Sequence, residues 1–177
     1  MNTIEIQLTK EKKAMVSNED KDINNKNWFA VEKTYSNGRK TFYVGRRISM
    51  KNDGMTTKGT IYLHDEILKR MGINKQHGQE IDHINGNPLD NRRENLRVVT
   101  SQQNKTNCNA RRTFGTRRTS KYKGVGWKKD HNKWIAQICA NRKTTHLGYF
   151  QTEEEAARRY DEEAETGFGK YAKLNFR

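Results

Sequence analysis

From Glu80 to Asn107 the chain reads EIDHINGNPLDNRRENLRVVTSQQNKTN, an Asp-His pair followed by asparagines and arginines at short intervals. The fold of the middle of the protein turns on this stretch. If residues 80–84 form a strand, Asp82 and His83 point to opposite faces of it. They can then serve one site only where the strand ends or twists, and the NGNP turn at Asn85 to Pro88 is the place for that. Asn85, Asn87 and Asn91 read as turn-formers, and Asn107 as a surface residue.

The side chains have a chemistry in common. Hydrolysing a phosphodiester takes a nucleophilic water, a base to deprotonate it, and positive charge against the negative charge that develops. Asp82 offers a hard carboxylate oxygen to a divalent cation. His83 offers an imidazole that titrates near neutral pH.

Working towards the N-terminus, DEILKRMG (Asp65 to Gly72) reads as a short helix stopped by Gly72, preceded by the apolar TIYLH. MKNDGMTTKG (Met50 to Gly59) reads as a loop. The aromatic and β-branched runs NWFAVEK and KTFYVGRRI, separated by SNG, predict a hairpin. Before them lies a polar segment with a short apolar centre at Ala14 to Val16. His64 is expected to pack or to touch a polyanion rather than to react.

Towards the C-terminus, residues 108–119 carry Arg111, Arg112, Arg117 and Arg118 and no acid. With no hydrophobic periodicity, this block is either a solvated linker or an arm that orders along a phosphate backbone. After it, YKGVGWKK, KWIAQICA and THLGYF predict three short strands with turns at DHN and NRK. QTEEEAARRYDEEAETG predicts a helix: Thr152 and Glu155 make a capping box, Ala156, Ala157, Tyr160 and Ala164 share a face, and Gly167 ends it.

Composition narrows the partners. The 177 residues hold 35 lysines and arginines against 21 acids, a net charge of +14, with 32% hydrophobic residues. This suits small, surface-rich modules that attract a polyanion. No apolar run approaches the roughly 20 residues that span a bilayer, and no signal-peptide core follows Met1. Cys108 and Cys139 form no Cys-x-x-Cys pair, which fits a reducing, intracellular setting and speaks against structural zinc.

The stretch DHINGNPLDNRRENLRVVT resembles the HNH motif of phage-type homing endonucleases, with Asn95 twelve residues after His83 and Asn104 nine further on. The resemblance implies a ββα-metal core, two strands and a helix clasping one metal ion. It implies Asp82 and Asn104 as metal ligands, His83 as general base, and Asn95 as the residue that braces the loop and orients His83. Oxygen ligands of this kind favour Mg²⁺ or Mn²⁺ over zinc. Arg92, Arg93 and Arg97 are candidates for gripping phosphates on position and charge.

Residues 120–177 resemble the Apetala-two/ethylene-response-factor DNA-binding domain through YKGV, KWIAQI, LGYF, EEAARRYD and AKLNF. That family lays its three-stranded sheet in the major groove with the helix behind. Where the plant proteins place base-contacting Arg or Trp, this chain has Gly126, Cys139 and His146, so the plant site preference does not carry over. Lys123, Trp127, Lys128, Gln137 and Arg142 are the candidate contacts; Trp134, Ala136, Ile138 and Leu147 are candidate core; Trp127 fits either role.

The whole reads as an α+β protein: a β-rich region over 1–60, an HNH core over 61–107, a basic linker or arm over 108–119, and an Apetala-two-like domain over 120–177. The expected activity is metal-dependent cleavage of double-stranded DNA at a preferred site, by a homing-type enzyme of a phage or mobile element acting in the host cytoplasm. One such site cuts one strand per encounter, so a monomer is expected to nick. No membrane and no small-molecule cofactor is expected, and the oligomeric state is left open. The rival reading is a DNA-binding regulator with a relic core. A structured-RNA binder would have the same charge but no use for the metal site.

Overall fold

A computed structural model describes residues 3–36, 38–52, 55–106, 119–140 and 143–176. The chain divides into two compact units, Met1–Val99 and Thr100–Arg177. Each is α+β with small antiparallel sheets.

The N-terminal unit opens with a hairpin of β1 (Thr3–Gln7) and β2 (Lys13–Ser17), its turn carrying Lys10 and Glu11 at positive φ. β2 holds the apolar centre Ala14 to Val16 of the segment read as polar, and the inward residues Ile6, Ala14 and Val16 of the hairpin are buried. A 3₁₀ stretch over Asn18–Asn25 follows and seats Ile23 in the core.

The expected hairpin is present as β3 (Phe29–Thr34) and β4 (Lys40–Asn52), with β5 (Met55–Tyr62) added on the far side of β4. Of the stretch read as a loop over residues 50–59, residues 50–52 and 55–59 are therefore strand, paired through to Asn52↔Met55. Its polar run hid this, although a strand edge accepts threonines readily when its partner supplies the ladder. β5 leads directly into α1 (Leu63–Arg70), which starts two residues before the expected Asp65 and buries Leu63, Ile67 and Leu68.

Next come β6 (Gln79–His83) and β7 (Leu96–Thr100), which pair as a two-stranded sheet. The core joins Ile6 and Val16 from the first hairpin, Ile23 from the 3₁₀ stretch, Trp28, Val44 from β4, Leu63, Ile67 and Leu68 from α1, and Leu96 from β7. Burial of this apolar surface, rather than any one contact, carries the unit's stability.

In the C-terminal unit, α2 (Ser101–Thr106) precedes a sheet of β8 (Val125–Lys128), β9 (Lys133–Ala140) and β10 (Lys143–Phe150), in the order β10-β9-β8. α3 (Glu153–Phe168) packs on it. Thr152 and Glu155 form both halves of the capping box, and Ala156, Ala157, Tyr160 and Ala164 are buried as the periodicity predicted. The helix ends at Gly169, with φ of 51°, rather than at Gly167. Gly124 has φ of 75°, and a Cβ there would run into the Tyr160 ring and the Gln137 carbonyl, so only glycine lets β8 approach the helix.

Candidate functional site

β6 carries the Asp-His pair to the end of its strand, where Gly86 N–H closes a turn on the His83 carbonyl at 2.7 Å. Both side chains are buried, Asp82 at 6% and His83 at 7% exposure. They go to different partners, as alternation along a strand requires. Asp82 Oδ2 accepts from Arg97 Nε at 2.8 Å and lies 2.6 Å from Nη2 of the same guanidinium, reaching across to β7. His83 meets His64 edge-on, with ring centroids 5.5 Å apart.

Burial is the main force on both imidazoles. It drives His64 down to about 3, with the neighbouring His83 and Lys75 acting in the same direction. Burial also lowers His83, against the opposing pull of the Asn91 side chain, Asp82 and Asp90. Both rings are therefore neutral at physiological pH, and a neutral imidazole is the form that can take a proton. His64 was expected to pack, and it does stack on Tyr62 at 5.5 Å and 3°. It also forms one wall of the His83 site, a position the sequence signalled only as a His at a strand-helix junction.

The loop between β6 and β7 is held by its own amides. Asn95 Oδ1 accepts from Asn85 N–H at 2.9 Å, and Asn95 Nδ2 donates to the Asp90 carbonyl at 2.7 Å and to Asn85 Oδ1 at 3.1 Å. Asn85 Nδ2 donates to Asp90 Oδ2 at 2.7 Å. These bonds tie Asn95 to Asn85 and Asp90 across the loop. Asn85 and Asn87 do form turn contacts, Asn87 N–H donating to Asn85 Oδ1 at 2.8 Å. Asn91 also ties the turn, its Nδ2 donating to the Pro88 carbonyl at 3.2 Å, and is fully buried with its side chain beside His83.

All three motif arginines are held in ion pairs within the protein. Arg92 makes two hydrogen bonds to the buried Asp90, at 2.8 and 2.7 Å. Burial pushes the Asp90 carboxyl up, but the Arg92 bonds outweigh it and hold the group below its ordinary range. Arg93 makes a similar pair of bonds to the wholly buried Asp20 at 2.7 and 2.8 Å, and Arg97 holds Asp82. The sequence showed the charges but not the acids that face them, of which Asp20 is 73 residues away in the chain.

Asn104 lies on α2, in the C-terminal unit. Among the described residues no group of three His, Cys, Asp or Glu side chains gathers into a ligand set. Asp82 is nonetheless a buried hard-oxygen donor, the kind that suits Mg²⁺ or Mn²⁺, and ions of this type keep much of their coordination for water and phosphate. By the chemistry of its donor oxygen, Asp82 fits such a cation.

In the C-terminal sheet, cross-strand partners share a face. Trp127 opposes Trp134, in contact at 5.2 Å between ring centroids, and lies on the side of Ala136 and Ile138, towards α3. Trp127 thus shares a face with the core set and is half-buried there. The outer side carries Gly126, Lys128, Gln137, Cys139 and His146 together. The expected core residues Ala136 and Ile138 are buried, and Leu147 packs against the cluster of Ile138, Tyr160, Ala164 and Ala172. Lys123 sits beside the Tyr160 ring. Arg111, Arg112, Arg117, Arg118 and Arg142 lie outside the described residues. No helix among those described is long and apolar enough to cross a membrane.

Comparison with known proteins finds two matching segments. Residues 75–106 match the HNH endonuclease family model, and residues 120–169 match the AP2 domain model. An uncharacterized HNH endonuclease of Acanthamoeba polyphaga mimivirus is 37% identical over 95 residues, 54% of this chain and 46% of that protein. Protein 3.8 of Escherichia phage T7 is 35% identical over 66 residues, 37% of this chain and 51% of that protein. The chain thus spans about half the length of these curated relatives. No solved structure matches. An HNH segment joined to an AP2-like domain is the architecture of this chain.

Proposed function

We propose that the protein is a metal-dependent DNA endonuclease of homing type that nicks duplex DNA as a monomer. The observation that carries this reading is the buried His83 at the end of β6, next to Asp82 and inside the segment that matches HNH endonucleases. The AP2 match supports a DNA partner for residues 120–177. In this division of labour residues 61–107 cut, residues 108–119 link or track the backbone, and residues 120–177 hold the DNA.

In this reading His83 takes a proton from water as the water oxygen bonds to phosphorus. The bond from phosphorus to the 3′-oxygen breaks, and solvent protonates the leaving oxygen. Asn91 beside the ring and the Asn95-braced loop behind it fix His83 in the orientation that proton transfer needs. Arg97 holds Asp82 in place. A divalent cation, Mg²⁺ or Mn²⁺, with Asp82 and Asn104 as its protein ligands, would supply positive charge against the charge developing on the phosphate.

The test is nicking of supercoiled phage or host DNA in Mg²⁺, in Mn²⁺ and in EDTA, by the wild type and by Asp82→Ala and Asn104→Ala. Metal-dependent open circles, lost in both variants, support the reading. One observation favours the alternative, a regulator that binds without cutting: the carboxylate of Asp82 is already neutralised by Arg97. Tight duplex binding with no nicking in any metal would select that alternative.

A further inference from the structure

The sheet β3-β4-β5 has two very different sides. Register and alternation put Ala30, Glu32, Phe42, Val44, Arg46, Ile48 and Ile61 on one of them, where Ala30 and Val44 are buried and Glu32 pairs with Lys10 and Lys40. The other side carries Phe29, Val31 and Lys33 from β3. From β4 and β5 it takes Thr41, Tyr43, Arg47 and Ser49, and Lys58, Thr60 and Tyr62. Among the described residues it holds no acid.

Lys33, Arg47 and Lys58 on this side are exposed and form no ion pair among the described residues. Arg47 lies over the Phe29 ring at 5.8 Å, and Lys33 over Tyr35 at 5.5 Å. They contrast with Arg92, Arg93 and Arg97, each of which would have to give up a carboxylate to take a phosphate.

The same side leads to the candidate site through a run of ring contacts. Tyr43 meets Tyr62 at 6.2 Å, Tyr62 stacks on His64, and His64 meets His83. All of these residues lie in one compact unit.

We infer that the outer side of β3-β4-β5 is a second DNA-binding surface, separate from the AP2-like domain. Duplex backbone lies across the sheet with phosphates at Lys33, Arg47 and Lys58, and one strand continues past Tyr62 and His64 towards His83. Free cations interleaved with aromatic rings, without an opposing acid, suit a phosphate backbone and cost no internal pair to engage. The path to His83 rests on the nuclease reading; the binding does not.

The experiment measures binding of the full chain to a random-sequence DNA duplex in EDTA over a series of salt concentrations. It compares the wild type with a triple variant (Lys33→Ala, Arg47→Ala, Lys58→Ala) and a charge-matched control (Lys10→Ala, Lys13→Ala, Lys40→Ala), whose lysines are already paired with Glu5 and Glu32. Each lost phosphate contact lowers the slope of log K against log salt by about 0.9, so the sheet variant should lose about 2 to 3 and the control little.

An unchanged slope in the sheet variant overturns the inference, as does an equal loss in the control. A loss seen with an RNA hairpin probe but not with the DNA duplex overturns it in favour of RNA. Nicking in Mg²⁺ is scored separately: a protein that binds through the sheet but never nicks leaves this inference standing and removes the nuclease reading. One that nicks with an unchanged slope does the reverse.

Discussion

Replacing Arg93 by alanine separates a structural role from a DNA-binding one. Arg93 makes two hydrogen bonds to Asp20, whose side chain is wholly buried, while the arginine itself is one-third exposed. Opposite unit charges at this separation attract with about 6 kcal/mol at an effective dielectric of about 20, before desolvation is subtracted. Removing one partner of a buried pair typically costs about 3–5 kcal/mol, because the other charge is stranded. Here Arg70 stands 3.5 Å from Asp20 and compensates part of it, and the partial exposure of Arg93 screens more. The expected loss is therefore about 2–3 kcal/mol. Urea unfolding without DNA measures it, read from the buried Trp28 of the same unit. The double variant Arg93→Leu with Asp20→Asn should recover part of the loss, since no charge is left unpaired. If Arg93→Ala unfolds like the wild type while its DNA affinity drops, the ion pair is not what Arg93 is for and the reasoning fails.

Further outcomes follow from the same geometry. The His64 value of about 3 lies below the ordinary 6.5, so the unfolded chain binds that proton first and stability falls as pH drops. The N-terminal unit should lose about 2–3 kcal/mol between about pH 6.5 and about pH 4.5 from this group, and His64→Asn should flatten the dependence in melts across that range. Asn95→Ala removes three hydrogen bonds from the loop behind His83 and should cost about 1–3 kcal/mol and most of the nicking rate, measured by denaturation and by single-turnover cleavage. Gly124→Ala drives a methyl group into Tyr160 at a positive φ, so the C-terminal unit should lose about 2–4 kcal/mol, seen as a lowered melting temperature with little change in the N-terminal unit.

The C-terminal unit was nearly all legible because each of its signals is local. A capping box, a 3.6-residue stripe and three short β-branched runs each lie within a few residues of one another, and they give α3 and β8 to β10 directly. Trp127 was ambiguous because an aromatic residue fits either face; only the register against Trp134 decides it. In the N-terminal unit the strands β3 and β4 were clear, but β5 and the β1-β2 hairpin were not. Their polar edges depend on partners many residues away. The Asp-His pair was readable from its residue types, and Asn95 was singled out by the resemblance to the HNH motif. The acids that hold Arg92, Arg93 and Arg97, the approach of His64 to His83, and the burial of Asn91 were not, because each is set by packing between distant segments.

The most direct test of the central claim compares single-turnover nicking by the wild type and by His83→Ala at equal occupancy of the same supercoiled DNA, with Mg²⁺ present. General-base catalysis contributes about 10²–10⁴-fold, so the account predicts a loss of that size in His83→Ala with binding unchanged. A His83→Ala protein that nicks at the wild-type rate would contradict it.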